Sequence, residues 1–203
     1  KGQAGPKLLD SYSAERAPVA RQIVTRANQS IAEFGPIFEA LGMDGGVDHD
    51  RIERSMAARC DATEAGEKQR AALRKAIDFK VYEFDCHGVE MNQRYASGAV
   101  VAEGQTAPAA NADMELYYQP TTFPGARLPH AWVYDRKGGK HSTLDLCGKG
   151  QFTLITGIGG GAWRAAAEAA ARDLALPIRI VTIGPRADFE DHVGDWDRVR
   201  EIG

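Results

Sequence analysis

Gly157, Gly159 and Ala162 spell G-x-G-x-x-A between the apolar, β-branched run Gln151–Thr156 and a stretch of helical period. Glycines so placed let backbone N–H groups approach a pyrophosphate at a helix N-terminus. The acidic residue that would hold a ribose about 20 residues further on is missing, because Thr182, Ile183 and Gly184 stand at the tip of the next strand. The spacing therefore reads first as a glycine-rich strand-to-helix turn of another α/β fold. A dinucleotide-binding βαβ domain is the less favoured alternative. No G-K-[ST] follows, which excludes a P-loop.

The remaining reactive side chains do not assemble into a site. Ser142, His141 and Asp145 cluster in sequence, but no nucleophile elbow precedes a helix. Asp85, Cys86 and His87 are adjacent; in an extended segment neighbours point to opposite faces, so Cys86 and His87 are not expected to act on one atom. Asp44, Asp48 and Asp50 lack the glycine and terminal glutamate of a calcium loop. His49, His130 and His192 have no metal-ligand spacing. Asp188, Glu190, Asp191, Asp195 and Asp197 read as turns and helix caps. The sequence thus names no catalytic, cofactor-binding or metal-ligating residue.

The elements around the glycine turn form an α/β unit. Ser142–Leu146 and Gln151–Thr156 are expected to be strands of a hairpin around Cys147-Gly-Lys-Gly150. A helix from Ala162 carries Trp163, Ala166, Ala170 and Leu174 on one face and Arg164, Glu168 and Arg172 on the other, and Pro177 stops it. Ile178–Ile183 closes a right-handed βαβ unit. Trp163 is expected to be buried against Phe152 or Ile180. Ahead of this unit, Ala131–Tyr134 reads as a strand and Gly138-Gly139 as a turn.

The first half reads as helical. Val19, Ile23, Ala27, Ile31 and Phe34 form one apolar stripe. Pro18 places the start of that helix near Ala14–Ala17, after a separate turn carrying Leu8, Leu9 and Tyr12. Gly35-Pro36 ends it, and Ile37–Leu41 is a short turn. Asp48 and Thr63 cap two further helices, the first with Ile52, Met56 and Cys60 inward, the second with Leu73, Ala76 and Ile77 inward. Val81–Val101 is expected to hold short strands. Ala102–Asn111 is small, Pro- and Gly-containing linker, and Pro120–His130 an irregular lead-in.

Composition narrows the partners. A chain of 203 residues with 43% hydrophobic and 26% charged residues fits one large or two small domains. A net charge of −3 gives no attraction to nucleic acid or anionic membranes. No apolar run reaches membrane-span length. Cys60, Cys86 and Cys147 are odd in number, far apart and without C-x-x-C, the pattern of a reduced cytoplasmic protein. The start at Lys1, without Met, reads as an interior cut.

Whole segments carry a family resemblance. Leu8–Ala20 (LLDSYSAERAPVA) resembles the helix that follows the second FAD-contacting motif of flavin-dependent aromatic-ring hydroxylases. His87–Tyr95 (HGVEMNQRY), Pro120–His130 (PTTFPGARLPH), Ser142–Leu146 (STLDL) and Gly194-Asp-Trp196 resemble the phenol and 2,4-dichlorophenol monooxygenase group. This resemblance implies a parent that uses FAD, NADPH and O₂ to hydroxylate phenolic rings. It implies a helical C-terminal tail of the FAD-binding domain over 1–101, a linker over 102–122 and a thioredoxin-like, βαβ-containing domain without C-x-x-C over 123–203. The family's cofactor motifs precede this chain, which alone is expected to retain no FAD and to lack catalysis. The implied partners are a phenolic substrate and the N-terminal flavin domain, with a homo-oligomer left open. A non-catalytic interaction or oligomerisation module is the alternative.

Overall fold

The computed structural model describes residues 4–46, 48–102, 104 and 106–200. Helices and strands are mixed, as expected of an α/β protein. The chain divides into two compact units, one built from Glu15–Gln93 and Ala110–Gln119, the other from Lys1–Ala14, Arg94–Ala109 and Pro120–Gly203.

The first helix, α1 (Lys7–Ala32), is continuous through Pro18 and starts well before the expected Ala14–Ala17. Proline there removes one i→i−4 bond and ordinarily breaks a helix, but the turn with Leu8, Leu9 and Tyr12 is helical as well. The expected apolar stripe does not face the core either. Val19 and Ser30 are buried, whereas Ile23, Ala27 and Ile31 are exposed. The inward face carries Arg26, Ser30 and Glu33, seven and four residues apart, and they meet polar partners. Arg26 pairs with Glu33 and lies 3.4 Å from Glu115, and the Lys80 ammonium donates to the Ser30 carbonyl at 2.8 Å.

After α2 (Gly35–Ala40), the helices α3 (His49–Cys60) and α4 (Glu64–Asp78) open on the caps read from sequence. Asp48 accepts from the Arg51 N–H at 3.1 Å and Thr63 from the Gly66 N–H at 3.2 Å. Only part of each expected inner face is covered: Ala76 is buried and Leu73 half-buried, while Met56, Cys60 and Ile77 are exposed. Within 81–101, short helices replace the expected strands: α5 (Val81–Phe84) and α6 (His87–Met91). The sharp bend at Asp85-Cys86 between them is non-helical, and Gly88 lets the 110–119 segment lie against α6. A Cβ on Gly88 would overlap the Met114 carbonyl.

That segment is fastened by Asn92. Its Nδ2 donates to the carbonyls of Met114 (3.0 Å) and Tyr117 (2.8 Å), and its Oδ1 accepts from the Gln119 N–H at 2.8 Å. Tyr82 Oη donates to the Asp113 carboxylate at 2.7 Å. The Asp113 carboxyl is held below its usual range by Tyr82 and by the N–H groups of Glu115 and Leu116.

The other unit contains β1 (Trp132–Asp135), paired antiparallel with β2 (Lys140–Ser142) across the expected Gly138-Gly139 turn. The following residues Thr143–Leu146 form a single helical turn, α7, and not a strand. Ser142 Oγ caps it by accepting from the Leu144 N–H at 3.1 Å. Gly148, Lys149 and Gly150 then take three successive left-handed conformations, which carry the chain across instead of folding it back into a hairpin. Consequently β3 (Phe152–Thr156) pairs with β4 (Ile178–Thr182) in parallel, through α8 (Gly161–Asp173), as the βαβ expectation requires. A short strand β5 (Phe189–Glu190) returns to β1, giving the order β2-β1-β5, before α9 (Asp195–Val199). Val133, Leu146, Val181 and Ile183 form the core, with Ile155, Phe189 and Trp196 packed on it.

Candidate functional site

The C-terminal ends of parallel strands are where α/β folds place ligands, and here they border a cleft of about 1240 Å³. One side is the Gly157–Gly159 turn after β3; the other is the loop from Gly184 to Arg186 after β4. Ile155, Ile183 and Trp196 supply its apolar wall.

The glycine turn is shaped by packing. The Gly160 N–H closes it on the Gly157 carbonyl at 3.1 Å, and a Cβ on Gly160 would overlap Thr156 Oγ1. Cβ atoms on Gly157 or Gly159 would meet nothing within 4 Å, and neither has a positive φ. The indispensable glycine is therefore one that the fingerprint does not contain. At the tip of β4, Asp188 supplies the carboxylate the sequence lacks at that point, but it accepts from the Thr182 N–H at 3.0 Å and lies 3.9 Å from Arg164. Arg164 also donates to Thr182 Oγ1 at 2.9 Å, so this residue ties helix to strand where a solvated face was expected. A ribose would find that carboxylate already engaged.

The acidic side chains of the cleft are committed in the same way. Asp191 accepts from the N–H groups of Asp195 (2.9 Å) and Asp197 (3.0 Å), capping α9 as expected. Asp197 pairs with Arg200 at 2.6 Å. Glu190 accepts from the Arg186 N–H at 2.8 Å and lies 3.2 Å from His192. Its carboxyl is held below the usual range, first by the Arg186 N–H and then by His192. The His192 ring stacks on Tyr134 at 4.7 Å. Burial pushes the Cys147 thiol up, against the opposing charge of Arg179.

Elsewhere the candidates stay apart. His141 Nε2 lies 2.9 Å from Asp135 Oδ2 and serves the β1–β2 turn. Ser142 Oγ lies 2.8 Å from His130 Nδ1, but it is buried and occupied as a helix cap. Cys86 and His87 do sit in a bend and a helix, so the argument from extended geometry fails, yet Cys86 contacts the Tyr82 carbonyl while His87 is exposed. Asp44 pairs with Arg51 at 3.0 Å. Among the described residues no group of three or more His, Cys, Asp or Glu could hold a metal, and no helix is long and apolar enough to cross a membrane.

Trp163 departs furthest from expectation. It shares an open apolar groove with Phe152, Leu154, Ala166, Ala170 and Ile178, but its side chain is 68% exposed and Phe152 is 63% exposed. The cause is the width of the sheet: α8 covers only two strands, and Trp163 opens the helix at the uncovered edge.

Residues 121–199 match the aromatic-ring hydroxylase, C-terminal family. Over its whole length the chain is similar to the C-terminal part of phenol and 2,4-dichlorophenol monooxygenases. It is 48% identical over 202 residues to the 2,4-dichlorophenol 6-monooxygenase of Delftia acidovorans, covering 100% of this chain and 34% of that protein. It is also 48% identical to the phenol 2-monooxygenase of Pseudomonas sp. (strain EST1001), covering 33% of it. The crystal structure of the flavin-dependent monooxygenase PieE in complex with FAD and substrate superposes with a TM-score of 0.90 at 43% identity, over 100% of this chain and 35% of PieE. The chain thus spans about a third of the length of the relatives it matches.

Proposed function

We propose that this chain is the C-terminal portion of an FAD- and NADPH-dependent monooxygenase that hydroxylates phenolic rings, and that this portion performs no catalysis by itself. The observation that carries the reading is 48% identity sustained over 202 residues to enzymes acting on phenol and on 2,4-dichlorophenol. The residues of this chain do not fit either dinucleotide alone. Gly157 and Gly159 make no enforced close approach, and Asp188 is taken up by Thr182 and Arg164. In the whole protein the flavin would supply the oxygen chemistry from elsewhere in the polypeptide.

In this reading residues 1–101 are the helical tail of the FAD-binding domain, 102–122 a linker, and 123–203 a thioredoxin-like domain. Glycines, not cysteines, precede α8, and a thioredoxin-type redox centre needs a low-pKa cysteine there. Support for the tail comes from α1, whose Leu9, Ile23, Val24 and Ile31 are exposed apolar side chains available to a flavin domain.

The test pairs two samples. The 203-residue chain, dialysed against FAD and titrated with NADPH, is expected to retain neither. The full-length protein is expected to carry a flavin spectrum and to consume NADPH in a phenol-dependent manner. Stoichiometric FAD on the chain, or a full-length protein without flavin, would refute the proposal.

A further inference from the structure

The cleft holds one charged group that neither its own fold nor the hydroxylase reading employs. Arg186 stands at its rim with φ 60°, a left-handed conformation that a residue with a Cβ adopts only under constraint. The constraint comes from several sides. Arg136 donates from Nε to the Ala187 carbonyl at 3.0 Å and from Nη2 to the Arg186 carbonyl at 3.5 Å. The Arg186 N–H is taken by Glu190, and the Gly184 N–H by the Phe189 carbonyl at 2.9 Å. The guanidinium itself has no hydrogen bond or ion pair with any described residue. Glycine would occupy this position without strain. A strained backbone carrying an unengaged cationic head at a cleft is the kind of outlier from which function is inferred.

The other charged side chains of the cleft are already engaged. Glu190, Asp191 and Asp197 are each engaged as described, and Arg200 is paired with Asp197. Arg186 is therefore the one full charge among the described lining residues left to meet a ligand. We propose that the cleft binds a planar aromatic monocarboxylate, with the carboxylate in two parallel hydrogen bonds to the Arg186 guanidinium and the ring against Trp196, Ile155 and Ile183. A guanidinium matches a carboxylate in this bidentate manner, and indole and aliphatic faces suit a flat ring. A polyphosphate fits poorly, since Glu190, Asp191 and Asp197 border the site and repel a multiply charged anion. The cleft volume admits two or three fused rings. The proposal stands independently of the hydroxylase reading.

The experiment titrates full-length protein with 6-fluoro-2-naphthoate and follows the ¹⁹F resonance. Saturable binding is expected, weakened about tenfold or more in Arg186→Gln and lost in Arg186→Gly. The glycine variant should melt no lower than wild type, because it relieves the left-handed strain, so lost binding cannot be blamed on unfolding. The neutral analogue 6-fluoro-2-naphthylmethanol should bind at least tenfold more weakly than the acid. Equal affinity of the acid for wild type and Arg186→Gly overturns the proposal, as does equal affinity of acid and alcohol.

Discussion

The two compact units are held by different forces. In the unit around β1–β5, apolar side chains from β1, α7 and the end of β4 meet: Val133, Leu146, Val181 and Ile183, with Ile155, Phe189 and Trp196 around them. In the helical unit the long-range ties are polar. Lys80 reaches the Ser30 carbonyl, Arg26 reaches Glu33 and Glu115, and Asn92 holds three backbone groups of 113–119. Its apolar side chains Ile23, Val24, Ile31, Phe38 and Phe79 are exposed instead. Apolar burial is non-directional and fills a unit from within, whereas hydrogen-bonded pins fix geometry at modest net gain. The first unit has an apolar core of its own, whereas the second leaves much of its apolar surface exposed.

The sharpest way to break this contrast is in the core. Leu146→Ala should destabilise the β1–β5 unit by about 2–5 kcal/mol, because Leu146 is 2% exposed among the core residues. Denaturant melts read it directly, and a change below 1 kcal/mol would mean the core is not where that unit's stability resides.

Asn92→Ala should act less strongly and locally. It leaves the Met114 and Tyr117 carbonyls and the Gln119 N–H without their partner, a loss of roughly 1–3 kcal/mol. Hydrogen exchange should quicken across 113–119 while β1–β4 stay protected. Asn92→Asp retains only the acceptor for Gln119 and should fall between. Global unfolding by Asn92→Ala would show that the polar pins, not the core, dominate both regions.

Acid offers a third, smaller lever. The Asp135 carboxyl is held at about 2, below its ordinary 3.8, first by His141 and then by the N–H groups of Gly139 and Lys137. A depressed carboxylate stabilises above its unfolded pKa and loses that contribution as pH falls through its folded value. The β1–β2 turn should therefore be at full strength above pH 3.8 and weaken towards pH 2. Asp135→Asn should flatten this part of the profile; an unchanged acid limb would remove Asp135 from the account.

What could be read from the sequence was what depends on neighbours in the chain. The caps at Asp48 and Thr63, the Gly138-Gly139 turn and the β3–α8–β4 crossover rest on local chemistry and on period, and they are present. Which way an amphipathic helix faces depends on what lies across from it. The α1 stripe was visible as a period, yet the inward side is set by Lys80 and Glu115, 50 or more residues away. Thr143–Leu146 reads as strand because the run is apolar and branched; the Ser142 hydroxyl, as a cap at the end of β2, turns it into a helix. At the cleft, the glycine turn was legible and was assigned to structure. The left-handed Arg186 and the commitment of each carboxylate were not, since no spacing encodes φ or a tertiary hydrogen bond.

The smallest effect expected concerns Trp163, and it tests the comparison from within the better-packed unit. Burial of the whole indole would make Trp163→Ala cost about 3–5 kcal/mol. At 68% exposure most of the ring already meets solvent, and its groove partners Phe152 and Leu154 come from a strand that, among the described residues, pairs only with β4. Truncation should then cost roughly 1 kcal/mol or less in the 203-residue chain. Arg164→Ala, one residue along, loses the hydrogen bond to Thr182 and should cost a similar amount, about 0.5–1.5 kcal/mol. Paired melts of the two variants decide the matter. If Trp163→Ala alone falls by several kcal/mol, the indole is covered by something that the described residues do not provide, and the edge of α8 belongs with the core instead of with the open surface.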